Sequence, residues 1–285
     1  MPSLAAHQSN DYTKLLIEGD SKSGKTGALA SLVAAGYKLR ILDMDNGLDV
    51  LKAFVLHTCP GNIANVEYRT LRDKRKATPQ GPVLDGSPKA FIEAVKMLDR
   101  WRYDDVDLGV PGEWGREAIL VLDSLTFLSD AAYDFREPLA AKSRDGKYDV
   151  RAVYKDAQDA IENVLALLTS DSFKTNVIVI SHVKYVENPD GTKKGYPVSV
   201  GSALSPTIPR YFNSVVRFTT IGSKRQIETV SSPMFDLANP KPFEMPKTLP
   251  IETGLADFFS TLRGAPNVAP IAPKVTAPVT LKRRA

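Results

Sequence analysis

The sequence predicts an α/β fold with a mostly parallel central sheet flanked by helices, and three observations carry that prediction. Apolar runs of strand length alternate with stretches of helical spacing along most of the 285 residues. Two of the internal runs, AILVL at 118–122 and VIVIS at 177–181, are unbroken, the pattern of strands buried on both faces. The third is LLIEGDSKSGKT at 15–26, which sets Gly19-x-x-x-x-Gly24-Lys25-Thr26 directly behind the first apolar run. Strand, glycine-bearing loop and helix in that order are what a phosphate-binding loop requires.

Residues 1–11 are short, polar and unpatterned and read as a flexible arm. The first strand spans 12–18, and the loop after it supplies the cradle Gly19, Asp20, Ser21, Lys22, Ser23, Gly24, Lys25, Thr26 and Gly27. Glycines there let successive N–H groups turn inward on phosphate oxygens, and the following helix adds its positive end. Lys25 neutralises β/γ-phosphate charge, and Thr26 offers a hydroxyl to Mg²⁺. Lys22 reads as a solvated loop charge. Leu29, Leu32 and Val33 give the helix over 25–35 one buried face, and Gly36 stops it.

A second strand over 38–45 ends in acid, a helix follows over 46–56, and 65–71 alternates like another strand. A Lys/Arg/Pro/Gly-rich loop at 72–87 precedes a helix that carries Phe91, Ile92, Val95, Leu98 and Trp101, and 103–115 is a second loop. The buried strand at 118–123 leads into a helix, a basic loop and a long amphipathic helix over 150–168. Another buried strand spans 176–182. Residues 183–206 are too many for a simple connection and read as a functional or disordered loop. A hairpin around Gly222 follows, then a proline-rich stretch at 231–250 and a closing helix over 251–262. The boundaries are an arm at 1–11, one domain at 12–263, and a Pro/Ala-rich tail at 264–285 that buries too little apolar surface to fold.

Composition narrows the setting. Hydrophobic residues make up 43% and charged residues 25%, ordinary for a globular chain. Cys59 has no second cysteine to pair with, no run of about 18 apolar residues occurs, and no signal pattern opens the chain, so a cytoplasmic protein is expected. The net charge of +4 permits contact with a polyanion without demonstrating it.

In a parallel sheet, ligands sit at the carboxyl ends of the strands, where the phosphate loop, Asp45, Asp123 and His182 all fall. Asp123 closes an apolar strand in the manner of a Walker-B acid and is expected to hold Mg²⁺ with Thr26; its alternative is a helix cap. Ser124 and Thr126 are expected to cap the next helix, with positioning of water as the alternative. Hydrolysis needs a group to orient and deprotonate water. Asp45 is the candidate, with a helix N-cap as its alternative, and Asp43 lies deeper on the same face. His182 is either a γ-phosphate sensor ahead of a basic loop or a structural histidine. Lys25, Asp45, Asp123 and His182 thus form the candidate catalytic set, with ATP and Mg²⁺ as cofactors.

Taken together, LLIEGDSKSGKT, ILDMDNGLD, AILVLDSLTFL and NVIVISH resemble the Walker A, catalytic-acid, Walker B and sensor segments of the RecA-like P-loop ATPases. The likeness is nearest to the phage-encoded nucleotide-binding proteins of single-strand annealing and recombination, and it covers about residues 12–230. Two residues depart from the family pattern: Asp45 stands where Glu is usual and His182 where Gln is common. The resemblance implies an oligomeric, ring or filament ATPase of the host cytoplasm. Its partners would be single-stranded DNA and a single-strand-binding protein, and strand annealing or exchange its task.

The resemblance also implies two DNA-contacting loops, one with Lys142, Arg144, Lys147 and Arg151, the other with Lys184, Tyr185, Lys193, Lys194 and Tyr196. Lysines there would neutralise phosphates and tyrosines would stack on bases. Lys224, Arg225 and Lys241 are the candidates to act on a neighbour's nucleotide. A nucleotide or small-molecule kinase and a slowly hydrolysing ATP-switched assembly protein remain open from the residues alone.

Overall fold

Alternate side chains of strand β1 (Lys14–Gly19) are buried on opposite faces, Leu16 in one apolar cluster and Leu15 and Ile17 in another. A strand of that kind belongs in the middle of a sheet covered on both sides. The computed structural model describes residues 11–140 and 149–263. The expected arm, nearly all of it, the expected tail, and Lys142, Arg144 and Lys147 lie outside those residues.

After β1 come α1 (Lys25–Ala28), α2 (Ala30–Ala34), β2 (Lys38–Asp43), α3 (Asp49–Thr58) and β3 (Val66–Thr70). A ribbon of β4 (Arg75–Thr78) and β5 (Gly81–Leu84) leads to α4 (Ala90–Asp99), and a second of β6 (Arg102–Tyr103) and β7 (Val106–Asp107) leads to β8 (Gly115–Asp123). Then follow α5 (Leu125–Arg136), α6 (Val150–Thr169), β9 (Thr175–Ser181), β10 (Val183–Glu187) and β11 (Lys193–Pro197). The chain closes with β12 (Ser214–Ile221), β13 (Lys224–Glu228), β14 (Thr248–Pro250) and α7 (Gly254–Arg263).

Eight strands form the main sheet in the order β14-β13-β12-β1-β9-β8-β2-β3. The six from β12 to β3 run parallel, and β13 turns back antiparallel as the expected C-terminal hairpin. Helices α4, α5 and α6 cover one face through Phe91, Leu128 and Ile161. On the other face, α2, α3 and α7 contribute Leu32, Val55 and Phe258. Register aligns Asp43 with both Asp123 and Thr70, and Asp123 with Ile180, so these strands end along one edge.

Three expectations need correction. The helix at 25–35 is two pieces that meet at Leu29, whose N–H reaches the carbonyl of Thr26 at 3.3 Å. The stretch at 183–206 is not a loop throughout: β10 and β11 pair antiparallel from Val183↔Pro197 to Glu187↔Lys193. Their turn is built by Asn188, Asp190 and Gly191, whose φ is 80°, a turn signature inside a segment whose alternation is interrupted by polar residues. The loops at 72–87 and 103–115 likewise contain the β4–β5 and β6–β7 ribbons. No described helix is long and apolar enough to cross a membrane.

The amino end of the sheet depends on one polar residue. Between Gly115 and Ile119, β8 slips relative to β9 in a bulge, which leaves carbonyls without ladder partners. Asn176 is buried against it. Its Nδ2 donates to the carbonyls of Arg116 at 2.7 Å and Ala118 at 3.1 Å, while its Oδ1 accepts the Thr13 N–H at 2.9 Å. One side chain therefore fastens β8 and β9 to the start of β1. Asn176→Ala leaves those buried groups unpaired and is expected to cost about 2–4 kcal/mol, read from urea denaturation. A loss within about 0.5 kcal/mol, the range of an ordinary surface change, would show that the bulge is satisfied otherwise.

Candidate functional site

The loop after β1 is shaped by contacts that leave no room for side chains. A Cβ on Gly19 would stand 2.7 Å from the Phe218 carbonyl and 2.8 Å from Ser23 Oγ. At Gly24, φ is 97°, and a Cβ would meet Ile251 at 2.6 Å. Lys22 also takes positive φ, 64°, and is exposed, as is Ser21; Ser23 is buried. At Gly27 a Cβ would press on the Phe54 ring at 2.9 Å, so the first turn of α1 packs directly on α3. The loop turns on itself where the Ser23 N–H donates to the Asp20 carbonyl at 3.2 Å.

Lys25 lies inside this loop, 6% exposed, and its ammonium donates to the carbonyls of Gly19 and Asp20 at 2.8 Å each. Burial draws its pKa down to about 8, against the opposing charges of Asp123, Asp20 and Asp45. The next residue, Thr26, donates its hydroxyl to Asp123 Oδ2 at 2.7 Å. Asp123 ends β8 at 1% exposure, and burial, with the Asp45 charge next, pushes its pKa up to about 7. One hydroxyl and one carboxylate oxygen thus converge beside a lysine. Mg²⁺ takes such hard oxygen donors and completes its shell with phosphate and water, so these residues fit it. Among the described residues no group of three or more His, Cys, Asp or Glu side chains is arranged to hold a metal ion by itself.

Beside Asp123, β2 presents Asp43 and then Asp45. Asp43 is 1% exposed and fully engaged. Its Oδ1 accepts the N–H groups of Asn46 at 2.8 Å and Gly47 at 3.3 Å, and its Oδ2 accepts the Thr70 hydroxyl at 2.7 Å. That grip, with Asn46 at a φ of 60°, turns the chain and sets Asp45 at the edge. Asp45 is half-buried, and one of its carboxylate oxygens has no hydrogen-bond partner. Burial and then the Asp43 charge raise its pKa, the direction that suits a general base working near neutrality. Because β2 packs directly beside β8, the two acids lie near each other, and the Asp45 charge raises the pKa of Asp123.

His182 follows β9, the strand between β1 and β8. Its N–H donates to Thr126 Oγ1 at 3.1 Å, its ring meets Phe127 edge-on at 6.0 Å, and burial and the Lys25 charge hold its pKa below the usual value. Thr126 therefore pairs with the His182 backbone where a helix cap was expected. Ser124 holds the N-cap position without a side-chain cap bond. The Asp123–Ser124 peptide is cis.

The remaining sequence candidates are dispersed. Lys184, Tyr185, Lys193, Lys194 and Tyr196 share the β10–β11 ribbon. Lys193 is exposed, Lys194 pairs with Asp236 at 2.7 Å, and Lys184 donates to the Gly201 carbonyl at 3.3 Å. The Tyr185 hydroxyl lies 3.1 Å from both carboxylate oxygens of Asp20, a tie between ribbon and phosphate loop that sequence spacing does not announce. Arg151 is exposed at the start of α6. Lys224 is exposed at the turn into β13, and Lys241 pairs with Glu244 at 2.9 Å. Arg225 lies against its own phosphate loop, its Cδ 3.4 Å from where a Gly24 Cβ would be. Sequence reasoning passed over Thr70, Arg72 and the buried Glu18, whose pKa burial raises to about 8.

The family model described as the AAA domain matches residues 11–239. Among solved structures, an ATPase from the type III secretion system of pathogenic bacteria is similar at 14% identity and a TM-score of 0.38, over 73% of this chain and 52% of that one. The assembled ATPase EscN, in complex with its stalk EscO from enteropathogenic E. coli, is similar at 13% identity and a TM-score of 0.39, over 73% of this chain and 42% of that one. The chain spans about half the length of these structures or less. Comparison with curated proteins gives no match. The family model spans most of the chain, which belongs to the AAA-domain family of P-loop ATPases.

The two shifted groups of the loop set a pH window for ligand binding. Below about 7, Asp123 must give up a proton before it can face a cation, and above about 8, Lys25 loses the charge that meets phosphate. Affinity for Mg²⁺–nucleotide is expected to rise from pH 6 through 7, by at most about tenfold per unit, and to fall again above 8. Fluorescent-nucleotide titrations at pH 6, 7.5 and 9 check this, with the rising limb absent when Mg²⁺ is chelated. A flat profile with Mg²⁺ would exclude proton-coupled binding at these two residues.

Proposed function

We propose that this AAA-domain ATPase hydrolyses ATP with Mg²⁺ in response to single-stranded DNA, and that as an oligomer it promotes strand annealing or exchange in phage recombination. In this reading Thr26 and Asp123 hold Mg²⁺, and Lys25 meets the β- and γ-phosphates. Asp45, half-buried at the strand-end edge with a raised pKa, orients and deprotonates the attacking water. His182, held by its backbone on Thr126, reports the γ-phosphate to the ribbon that begins one residue later.

The observation that carries the DNA part is the β10–β11 ribbon. It bears three lysines and two tyrosines, leaves the sheet directly after His182, and bonds back to the phosphate loop through Tyr185 and Asp20. A basic, aromatic ribbon suits a backbone-tracking, base-stacking contact without sequence preference. The Tyr185–Asp20 bond gives it a mechanical connection to the nucleotide site, which is what stimulation by DNA requires. A kinase with a separate acceptor pocket has no use for that connection. A single-strand-binding protein is a natural partner in the same task. Of the three cations considered for action on a neighbour's nucleotide, Lys224 suits best, since Arg225 lies on its own loop and Lys241 is paired.

The ribbon lysines differ in what DNA gains from them. Lys193 is exposed and has no ion pair among the described residues, whereas Lys194 is already neutralised by Asp236. Lys193→Ala is expected to lower the slope of log affinity against log salt by about 0.7, the release expected for one single-strand phosphate contact, and Lys194→Ala by less. Binding of a labelled oligonucleotide over a salt series measures both. An unchanged slope in the double variant would move the DNA contact off this ribbon.

A further inference from the structure

Arg72 follows β3 immediately and belongs neither to the phosphate loop nor to the ribbon. Buried Leu71 donates its N–H to the Asp43 carbonyl at 2.9 Å, which fixes where the chain leaves the sheet and brings Arg72 to the segment that carries Asp45. The Arg72 guanidinium then donates from Nη1 to the backbone carbonyl of Asp45 at 3.2 Å. Its central carbon stands 6.0 Å from the centroid of the Phe127 ring, and Phe127 meets His182 edge-on at 6.0 Å. Among the described residues it forms no ion pair within 4 Å; it holds a backbone carbonyl and an aromatic face, and its charge acts on the Asp45 carboxylate, drawing that pKa down against burial.

The Asp45 segment is held at both ends by other means. The Met44 N–H donates to the Asp123 carbonyl at 2.6 Å, and the N–H groups of Asn46 and Gly47 reach Asp43. The Asp45 carbonyl and the Asn46 N–H belong to one planar peptide unit, so Asp43 holds that unit from its N–H side and Arg72 from its carbonyl side. Room for the side chain is narrow on the other flank, since a Cβ on Gly47 would lie 2.9 Å from Asp45 Oδ1. Arg72 thus completes the grip on the peptide that follows Asp45, and it does so while lying against the aromatic neighbour of His182.

We propose that Arg72 is a positioning residue for ATP hydrolysis: by holding the Asp45 carbonyl and packing on Phe127, it sets Asp45 and His182 at a fixed spacing around the reacting phosphate. The inference rests on Asp45 being the residue that orients water. A misplacement of about 1 Å at such a group costs on the order of 100-fold in rate while leaving ground-state binding alone.

The test is steady-state ATP hydrolysis and fluorescent-nucleotide affinity for Arg72→Ala, Arg72→Lys and Asp45→Asn, with thermal midpoints for each. Arg72→Ala is expected to lose about 10- to 100-fold in kcat with KM and nucleotide affinity within about twofold. Arg72→Lys should recover part of the rate, and millimolar guanidinium should restore part of it to Arg72→Ala but none to Asp45→Asn. Unchanged kcat in Arg72→Ala overturns the inference, as does a rise in KM alone. A parallel fall in rate, affinity and midpoint with no guanidinium rescue assigns Arg72 to folding and overturns it too. Wild-type hydrolysis by Asp45→Asn removes the underlying reading of Asp45, whatever Arg72 does.

Discussion

The 2.7 Å bond from Thr26 to Asp123 joins positions 97 residues apart, and the site is organised around it. Thr26 opens the helix after β1, and Asp123 ends β8, with β9 lying between those two strands. The bond can form only if β1, β9 and β8 run parallel and end at the same level, which the continuous parallel register provides. Burial on both faces of the sheet excludes water from the strand ends, so the charges there are strong. The same exclusion makes each of them costly unless a partner or a ligand compensates.

The charge balance at that edge explains why the site suits a cation and a polyphosphate together. Asp43, Asp45 and Asp123 crowd one end of neighbouring strands, with the Lys25 charge acting on Asp123 and the Arg72 charge on Asp45. Asp43 is spent on structure, since both its oxygens are occupied by backbone N–H groups and Thr70. Burial brings the Asp123 pKa up to about 7, and the Asp45 carboxylate keeps one buried oxygen without a hydrogen-bond partner. In the proposed reading a divalent cation would relieve the repulsion among the acids, and its phosphate ligand would meet Lys25, so that ligand and protein would complete each other's charge.

How much of this could be read from the residues follows from the range of each interaction. The phosphate loop, the buried strands and the strand-end position of Asp123 are local features: glycine spacing, unbroken apolar runs, and an acid at the end of one of them. The hairpin at β12 and β13 was equally plain from its alternation around Gly222. The β10–β11 ribbon was obscured because glycines, prolines and lysines break its alternation, and the segment read as loop until Asn188, Asp190 and Gly191 were seen to form its turn. The contacts that Thr126, Tyr185 and Arg72 make could not be read, since each acts through a partner 56, 165 or 27 residues away. In sequence Thr126 looks like a helix cap, Tyr185 like a base-stacking loop tyrosine and Arg72 like a loop charge until the sheet brings the partners in.

The central claim is that the nucleotide site and the ribbon work as one device, and steady-state ATP hydrolysis with and without single-stranded DNA tests it most directly. Lys25→Ala serves as the blank and duplex DNA as the competitor. The account predicts a low basal rate, clear stimulation by single strands, little by duplex, and loss of the stimulated rate in Lys25→Ala. A basal rate that single strands leave unchanged, in protein shown to bind both nucleotide and DNA, would contradict it.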